Sequence, residues 1–283
     1  MEIKKNIRRF SFVLLFFLFN AASGEPKLAL NEKFSNILLV VNYNHPYYSS
    51  IPFIEELYSS IFPNIVFFGE SPHPKVNVIR TEQGYKFSRV VADVLDRFPG
   101  YTGYIFLQDD CFMNFWNYER LDTNKFWFME NDTAGFRRTD LTDDISSLGW
   151  FFGHPTVGMK QYKASLEKLN SEERFLLEEN HGENQCIGFG CDMFYIPGKF
   201  AKQALNLSLI FSDVFCELSI PTIFSCIDEL SNWEKLNALW FCGSSINVLP
   251  AYSPQHDWVH PLKFSCAEDR DFATKQISLN FKK

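Results

Sequence analysis

Residues 104–111 read Tyr-Ile-Phe-Leu-Gln-Asp-Asp-Cys, and this stretch decides the fold. A short apolar run at 104–107 ends abruptly in two adjacent carboxylates, Asp109 and Asp110. Apolar runs of this length between turn signals are typical of buried strands. In an open α/β sheet, ligands bind in the crevice beyond the carboxyl ends of the strands. The stretch therefore predicts a buried strand that carries two acids to a binding edge.

The two carboxylates repel each other, so ionisation of both is favourable only when a cation lies beside them. Their oxygens are hard ligands of the kind that Mg²⁺ and Mn²⁺ prefer. A divalent ion held by one or two carboxylates is a common partner of substrate phosphates. We therefore predict a metal–diphosphate site at Asp109 and Asp110. The alternative is a surface turn, where Asp is common because it caps and bends the chain.

The segments around this stretch alternate between strand and helix patterns. Strands are predicted at 36–42, 65–68, 76–79, 124–129 and 193–196, and helices at 51–62, 87–95, 157–177, 200–211 and 214–230. Strand and helix in alternation are typical of a parallel sheet with crossover helices. We predict one α/β domain at 35–266, with a mostly parallel central sheet flanked by helices. A linker at 25–34 precedes it and a C-terminal tail at 267–283 follows it.

The N-terminal segment 1–24 has the composition of a targeting signal. Basic residues precede an apolar run at 10–19, and small residues lead to Gly24, as in a secretory signal peptide. The apolar run is shorter than the roughly 20 residues of a membrane span. We expect the body in the lumen of the secretory pathway (endoplasmic reticulum or Golgi) or secreted. The alternative is an uncleaved signal anchor, which would make a type II Golgi membrane protein and the only membrane contact.

Composition and cysteine content agree with a globular protein in that compartment. The 283 residues are 46% hydrophobic and include 31 Phe, and the formal net charge is −7. An acidic chain without basic clusters argues against nucleic-acid binding. Seven cysteines and two N-x-S/T sequons, at Asn131 and Asn206, fit an oxidising lumen and a glycoprotein. Cys186 and Cys191 are close enough to bridge a loop, although spacing alone leaves the disulfide pairing open.

Two later segments carry candidate site residues. In 260–263, His-Pro-Leu-Lys, the imidazole of His260 can ligate a divalent ion and the ammonium of Lys263 can neutralise a phosphate. Spacing alone favours an ordinary surface loop there, and His256 and Asp257 are competing ligand candidates. In 188–197, Asp192 follows two glycines and precedes a short strand, which suits a general base or a capping residue equally well.

In their order along the chain, these segments resemble GT-A glycosyltransferases and, more narrowly, the STELLO-like group of probable glycosyltransferases. The resemblance is carried by Asn42-Tyr43-Asn44, by 104–110 with the following Asn114-Phe115-Trp116-Asn117, by 192–197, by Glu217-Leu218-Ser219-Ile220-Pro221-Thr222 and by 260–263. It implies a GT-A-like fold and transfer of a sugar from a nucleotide-sugar donor to a glycan or protein acceptor. It also implies Mn²⁺ or Mg²⁺ as the cofactor and a UDP-linked donor.

The resemblance also implies a role for each candidate residue. The implied metal ligands are Asp109, Asp110 and His260, with Asp109 also near the ribose, and the implied nucleotide-sugar contacts are Asn42, Tyr43 and Lys263. Asp192 would be the catalytic acid–base group on the acceptor side, which deprotonates the acceptor hydroxyl if the enzyme inverts.

One position departs from the family pattern. Cys111 stands at the third position of a D-x-D motif counted from Asp109, and a thiol is a poor Mn²⁺ ligand. Two alternatives therefore stay open: a catalytically inactive GT-A-fold protein that binds glycans or acts as a scaffold, and a nucleotide-sugar hydrolase or phosphorylase without an acceptor groove. An enzyme should bring Asp109, Asp110, His260 and Asp192 around one cleft.

Overall fold

The computed structural model describes residues 25–129, 137–141, 156–188, 190–241 and 243–281. The predicted signal peptide, the sequon at Asn131 and Cys242 lie outside these ranges. The strands are β1 (Ile37–Asn42), β2 (Asn64–Gly69), β3 (Val76–Val78), β4 (Gly103–Gln108), β5 (Phe112–Met113), β6 (Trp127–Met129), β7 (Arg137–Asp140), β8 (Gln185–Gly188), β9 (Met193–Pro197), β10 (Glu234–Leu236), β11 (Ala238–Trp240) and β12 (Trp258–His260).

The helices are α1 (Glu25–Phe34), α2 (Ile51–Tyr58), α3 (Ser88–Arg97), α4 (Met159–Leu166), α5 (Ser171–His181), α6 (Ala201–Ile210), α7 (Cys216–Ser225) and α8 (Ala267–Asn280). Within the described residues, none of these helices has the length and apolar content of a membrane span.

A central seven-stranded sheet forms the frame, in the order β10-β6-β9-β4-β1-β2-β3. Every residue of the two middle strands, β1 and β4, is buried. Strands that are buried along their whole length belong to sheets that are covered on both faces. Adjacent strands are parallel except at β9, which runs antiparallel to β4 and β6. The predicted single α/β domain with a mostly parallel sheet is confirmed.

Side chains that alternate along β6 show how helices cover the two faces. Trp127 stacks on Tyr195 at 4.1 Å and meets Phe34 of α1 edge-on at 6.3 Å. The next residue, Phe128, contacts Phe224 of α7 with ring centroids 5.8 Å apart. Because successive strand residues point to opposite faces, α1 and α7 lie on opposite sides of the sheet.

Both segments that flank the predicted domain are helical and pack onto it. The predicted linker 25–34 is α1, which buries Leu30 and Phe34, and Lys33 Nζ donates to three carbonyl oxygens in the segment 118–121 at 2.6–3.1 Å. Most of the predicted tail 267–283 is α8, which buries Asp269 and Ala273. Neither helix has a clear apolar period in its sequence, so the pattern that identifies helices was missing.

Two further differences concern helix ends. The predicted helix 157–177 is two helices, because Asn170 caps α5 with a reciprocal pair of hydrogen bonds to Glu173 and so begins a new helix. The predicted helix 214–230 is the shorter α7, which contains Pro221.

A small three-stranded sheet, β11-β12-β5, lies beyond the carboxyl end of β4. Its strand β12 pairs antiparallel with β5 and parallel with β11. Because β5 begins two residues after Asp110, this pairing brings the end of β12 back to the end of β4.

Candidate active site

The Asp109–Asp110 pair follows β4 directly, as predicted. The backbone N–H of Asp109 donates to the carbonyl of Asn42, the last residue of β1, at 2.9 Å. The carbonyl of Asp110 accepts from the N–H of Leu262 at 2.7 Å. These two backbone bonds fix the acidic pair between the central sheet and the segment that follows β12.

Three distant parts of the sequence meet at Asp110. The Lys263 ammonium forms an ion pair with its carboxylate. His260 Nε2 lies 3.6 Å from Asp110 Oδ2 and 3.8 Å from Asp192 Oδ1. The structure thus brings Asp109, Asp110, His260, Lys263 and Asp192, all predicted site residues, to one end of the central sheet.

Burial and neighbouring charges push the two adjacent carboxyl groups in opposite directions. Burial, together with the charge of Asp110, raises the pKa of Asp109 well above its usual range. Burial alone would also raise the pKa of Asp110, but His260 and Lys263 outweigh it and lower that pKa. Of these two adjacent acids, Asp110 therefore ionises more readily and is the better cation ligand.

The His260 imidazole is oriented by its neighbours. Its Nδ1 lies 3.1 Å from the carbonyl oxygen of Phe241, and this leaves Nε2 facing the two acids. Burial opposes protonation, but Asp192 and Asp110 raise the pKa of His260 to about 9. A ring nitrogen fixed by a backbone carbonyl is also the usual support of a metal-ligating histidine.

The donor types at this site fit a divalent ion, but the ligands are not pre-assembled. Carboxylate oxygens of Asp110 and Asp192 and the Nε2 of His260 are donors that Mn²⁺ accepts. Within the described residues, no three His, Cys, Asp or Glu side chains are grouped as a metal cage. The cation beside Asp110 is instead the ammonium of Lys263. A metal ion would therefore have to compete with Lys263 for Asp110.

Cys111 is excluded as a ligand by its surroundings. Its side chain is fully buried, and its Sγ lies 3.6 Å from the carbonyl oxygen of Asp192, to which it donates. Burial and the nearby acids raise the pKa of this thiol far above its usual range. Cys111 therefore stays a neutral thiol that ties the end of β4 to the Asp192 backbone.

Trp240, at the end of β11, is a site residue that the sequence analysis missed. Its indole Nε1 donates to Asp192 Oδ2 at 2.7 Å, and its ring stacks on the His260 ring with centroids 6.0 Å apart and planes 16° apart. Gly190 leaves room for this contact, because a Cβ there would lie 3.3 Å from Trp240 Nε1 and 3.2 Å from Met129 Cε. The pairing of a three-residue strand with β12 is not visible in sequence.

Asn42 and Tyr43 lie at the end of β1, next to the site, in the protein interior. Both side chains are fully buried. Asn42 Nδ2 donates to Gln108 Oε1 at 2.9 Å, whereas the Tyr43 hydroxyl pairs with Ser50 Oγ at 2.8 Å. In this state neither side chain is exposed to a pocket, so a direct contact of these side chains with a nucleotide stays a prediction.

The competing ligand candidates of the sequence, His256 and Asp257, are used elsewhere. Asp257 is fully buried; its two oxygens lie 2.6 and 2.5 Å from Arg120 Nη2, and it also accepts from the backbone N–H of Asn237 at 2.7 Å. His256 Nδ1 accepts from the backbone N–H of Ser253 at 3.1 Å. Both residues stabilise the loop between β11 and β12.

Comparison with known proteins agrees with the resemblance expected from the motifs. The chain is 22% identical over 250 residues to the probable glycosyltransferase STELLO2 of Arabidopsis thaliana, and 20% identical over 244 residues to STELLO1 of the same plant. The chain is similar to the STELLO probable glycosyltransferases. The STELLO matches cover 85% and 84% of this chain but 31% of each relative, so the chain spans about a third of their length. The predicted resemblance is thereby confirmed.

Two other comparisons complete this result. No protein-family model matches the chain. A solved glycosyltransferase involved in the glycosylation of the major capsid of PBCV-1 aligns with a TM-score of 0.42 and 9% identity, over 83% of this chain and 98% of that one.

Proposed function

We propose that this chain is a metal-dependent glycosyltransferase that moves a sugar from a UDP-linked donor to a hydroxyl group of a glycan or protein acceptor. The convergence of Asp110, His260, Lys263 and Asp192 at one sheet end carries the proposal. The two STELLO relatives are themselves named as probable glycosyltransferases, which supports the reaction class.

The donor side would be served by Asp110, His260 and Lys263. Asp110 and His260 would hold Mn²⁺ or Mg²⁺, which when bound neutralises the charge of the diphosphate. Lys263 forms an ion pair with the Asp110 carboxylate and is part-exposed. Its ammonium can therefore rotate away from Asp110 to a phosphate oxygen. Asp109 would be a further metal ligand and would lie near the ribose; burial and Asp110 raise its pKa well above its usual range, an effect that a bound cation would oppose.

The acceptor side would be served by Asp192. Its Oδ2 is held by the Trp240 indole at 2.7 Å, and Oδ1 faces the cluster. In the transfer, the acceptor O–H proton would pass to Asp192 while the acceptor oxygen bonds to the sugar and the nucleoside diphosphate leaves. Trp240 would act as a positioning residue because it fixes which oxygen of Asp192 remains free.

The reaction would take place in the lumen of the secretory pathway. The basic and apolar pattern of residues 1–24 supports this location, with a cleaved signal peptide or a signal anchor as the two ways of entry.

A catalytically inactive binding or scaffold protein is the second candidate. Two observations favour it: Lys263 already neutralises Asp110, and Cys111 stands where a third acidic ligand would be expected. The two candidates differ in whether a metal-dependent nucleotide site exists.

A thermal-shift experiment on the full chain separates the candidates. We expect UDP with Mn²⁺ to raise the melting temperature, because a ligand that binds only the native state stabilises it. The shift should require both components and should be absent in Asp110→Asn, whereas Asp96→Asn, an exposed acid on α3, should keep it. GDP and CMP test the nucleotide class. A folded protein that responds to none of the three nucleotides with Mn²⁺ would favour the inactive candidate.

A further inference from the structure

The sequon at residues 206–208 lies within α6, and the proposed transfer reaction gives it no role. Its first residue, Asn206, is exposed on the surface of the helix. Its third residue, Ser208, is fully buried. The two residues that define the sequon therefore have opposite environments, and the structure shows whether the fold itself needs either of them.

The hydroxyl group of Ser208 has no hydrogen-bond partner in the part of the chain that the structure describes. A serine hydroxyl inside a helix commonly donates to the carbonyl oxygen four residues earlier, which here belongs to Ala204, but this bond is not made. A buried polar group without a partner lowers stability. Each such group in a folded protein needs an explanation.

Packing explains the small size of the residue at position 208 but not its hydroxyl. Helix α6 packs against α3 and α7. Ala204 and Ser208 are four residues apart, lie on the same face of α6 and are both fully buried. Alanine would suit this face at both positions and would bury no unpaired oxygen. The hydroxyl of Ser208 therefore has a purpose other than stability.

The surface around Asn206 has room for a large attached group. Leu209, three residues later and so a neighbour on the helix surface, is 60% exposed. An open groove of about 510 Å³ begins there, and its lining includes Leu205 and Leu209 of α6 and Arg89 and Ala92 of α3. The folded protein can therefore carry a bulky group on Asn206 without a change in the core.

We propose that Asn206 carries an N-linked glycan and that the Ser208 hydroxyl serves its attachment rather than the fold. An N-x-S/T sequon is the acceptor of this modification. The co-reactant is a lipid-linked oligosaccharide diphosphate. The amide nitrogen of Asn206 loses a proton and bonds to the anomeric carbon of the first sugar, while the bond from that carbon to the diphosphate oxygen breaks and the lipid diphosphate leaves.

The burial of Ser208 dates the attachment. Because its hydroxyl is inaccessible in the folded protein, the sequon has to be read before α6 packs, while the chain enters the endoplasmic reticulum. The inference thus rests on the proposed location in the secretory pathway, and it is independent of the proposed sugar transfer by the protein itself.

Glycopeptide mapping of the full chain tests the proposal. The chain, with its own N-terminal segment, is translated in the presence of microsomes from eukaryotic cells, and protection from added protease measures its entry into the vesicles. Peptide N-glycosidase in ¹⁸O-labelled water then converts each glycosylated Asn to a mass-labelled Asp. Trypsin places the two sequons in separate peptides, 126–137 and 203–235.

We expect the 203–235 peptide of the protected protein to carry the label. Asn206→Gln and Ser208→Ala should remove it, whereas Ser208→Thr, which keeps a sequon, should retain it. Ser231→Ala is the matched control, because it removes an exposed hydroxyl from the same peptide but outside the sequon. An unlabelled peptide in protease-protected protein would overturn the proposal and leave the location intact. A chain that stays accessible to protease would overturn both.

The role of the Ser208 hydroxyl is tested in protein made without glycans. We expect Ser208→Ala, produced in bacteria and refolded, to melt at the same temperature as the wild type or higher. A clearly lower melting temperature would show that the hydroxyl serves the fold, and would overturn its assignment to glycan attachment.

Discussion

Trp240 donates its indole N–H to Asp192, with Nε1 and Oδ2 2.7 Å apart, and stacks its ring on His260. One side chain thus positions both the proposed acceptor-side base and a proposed metal ligand. A hydrogen bond to a charged group contributes more to stability than one between neutral groups. We infer that the geometry of Asp192 depends on this indole, which makes the residue a target for substitution.

Trp240→Phe should keep the aromatic contact with His260 and lose the hydrogen bond to Asp192. Loss of a hydrogen bond to a carboxylate is equivalent to about 1.5–3 kcal/mol, or roughly tenfold to hundredfold in rate. We expect kcat to fall by that factor with the donor found by thermal shift, while KM for the donor stays near its wild-type value. Trp116→Phe is the matched control, because its indole donates to the carbonyl of Pro254 outside the site. Equal losses in the two variants would contradict a positioning role for Trp240.

Lys263→Met tests two roles of the Lys263 ammonium: its competition with a metal ion for Asp110, and its contact with the diphosphate. Without the ammonium, Asp110 is free to hold a metal ion, and Mn²⁺ alone should bind up to about fivefold more tightly, since a part-exposed ion pair contributes up to about 1 kcal/mol. UDP in the presence of Mn²⁺ should bind about tenfold or more weakly, because a charge-assisted contact to a phosphate is lost.

Isothermal titration calorimetry measures both affinities for Lys263→Met. Lys202→Met, which removes an exposed ammonium on α6, is the control and should change neither affinity. Weaker binding of Mn²⁺ alone to Lys263→Met would show that Lys263 does not compete with the metal.

Gly103→Ala should destabilise the fold strongly. A Cβ at this first residue of β4 would lie 1.8 Å from the hydroxyl oxygen of Tyr195, which itself donates to the carbonyl of Thr123 at 2.9 Å. To relieve the clash, Tyr195 would have to move from its stack on Trp127 in the buried sheet. We expect the free energy of unfolding to fall by about 3 kcal/mol, the upper end of the usual range for overpacked core positions.

Gly100→Ala provides the matched control, measured by urea unfolding. Gly100 has φ +95°, but no atom lies within 4 Å of a Cβ placed there, so only backbone strain opposes the substitution. That strain amounts to about 1–2 kcal/mol. If Gly103→Ala were no more destabilising than Gly100→Ala, the contact between Gly103 and Tyr195 would not restrict the size of the side chain.

The sequence predicted the parts of the site that follow from local pattern. The buried run 104–107 identified β4 and therefore the place of Asp109 and Asp110, because apolar strands in an α/β sheet end at a binding edge. The family resemblance predicted that His260 and Lys263 belong to the site. The contact between Trp240 and Asp192 was not predictable in this way, since it depends on the register of two three-residue strands.

The hydrogen bond between Asp269 and the Lys263 backbone was not predictable, for a related physical reason. Asp269 is buried in the first turns of α8 and accepts from the backbone N–H of Lys263 at 2.7 Å. The segment 267–283 has no regular apolar stripe, so its sequence predicted a tail rather than a helix. Its helix is identified by tertiary contacts, which local pattern does not contain.

The stability of the protein should decrease below pH 6.5 because of His181. This residue at the end of α5 is fully buried, and its Nε2 lies 2.9 Å from Ser225 Oγ. Burial, assisted by the charge of Arg138, lowers the pKa of His181 to about 3. In the unfolded chain the pKa of histidine is about 6.5.

The direction of the effect follows from which state binds the proton. Above pH 6.5 His181 is neutral in both states and adds no pH dependence. Between pH 6.5 and about 3 the unfolded chain binds a proton that the folded protein excludes. The free energy of unfolding should therefore fall with decreasing pH, with a limiting slope of about 1.4 kcal/mol per pH unit from this group.

Urea unfolding of the wild type and of His181→Gln at pH 7, 6 and 5 measures this contribution. His181→Gln has no proton to bind, so the stability difference between the two proteins should shrink or reverse as the pH falls. His73→Gln, at a half-buried surface position, is the control for the effect of a His-to-Gln substitution as such. A constant difference between the wild type and His181→Gln over this range would show that the folded state accepts the proton as readily as the unfolded chain.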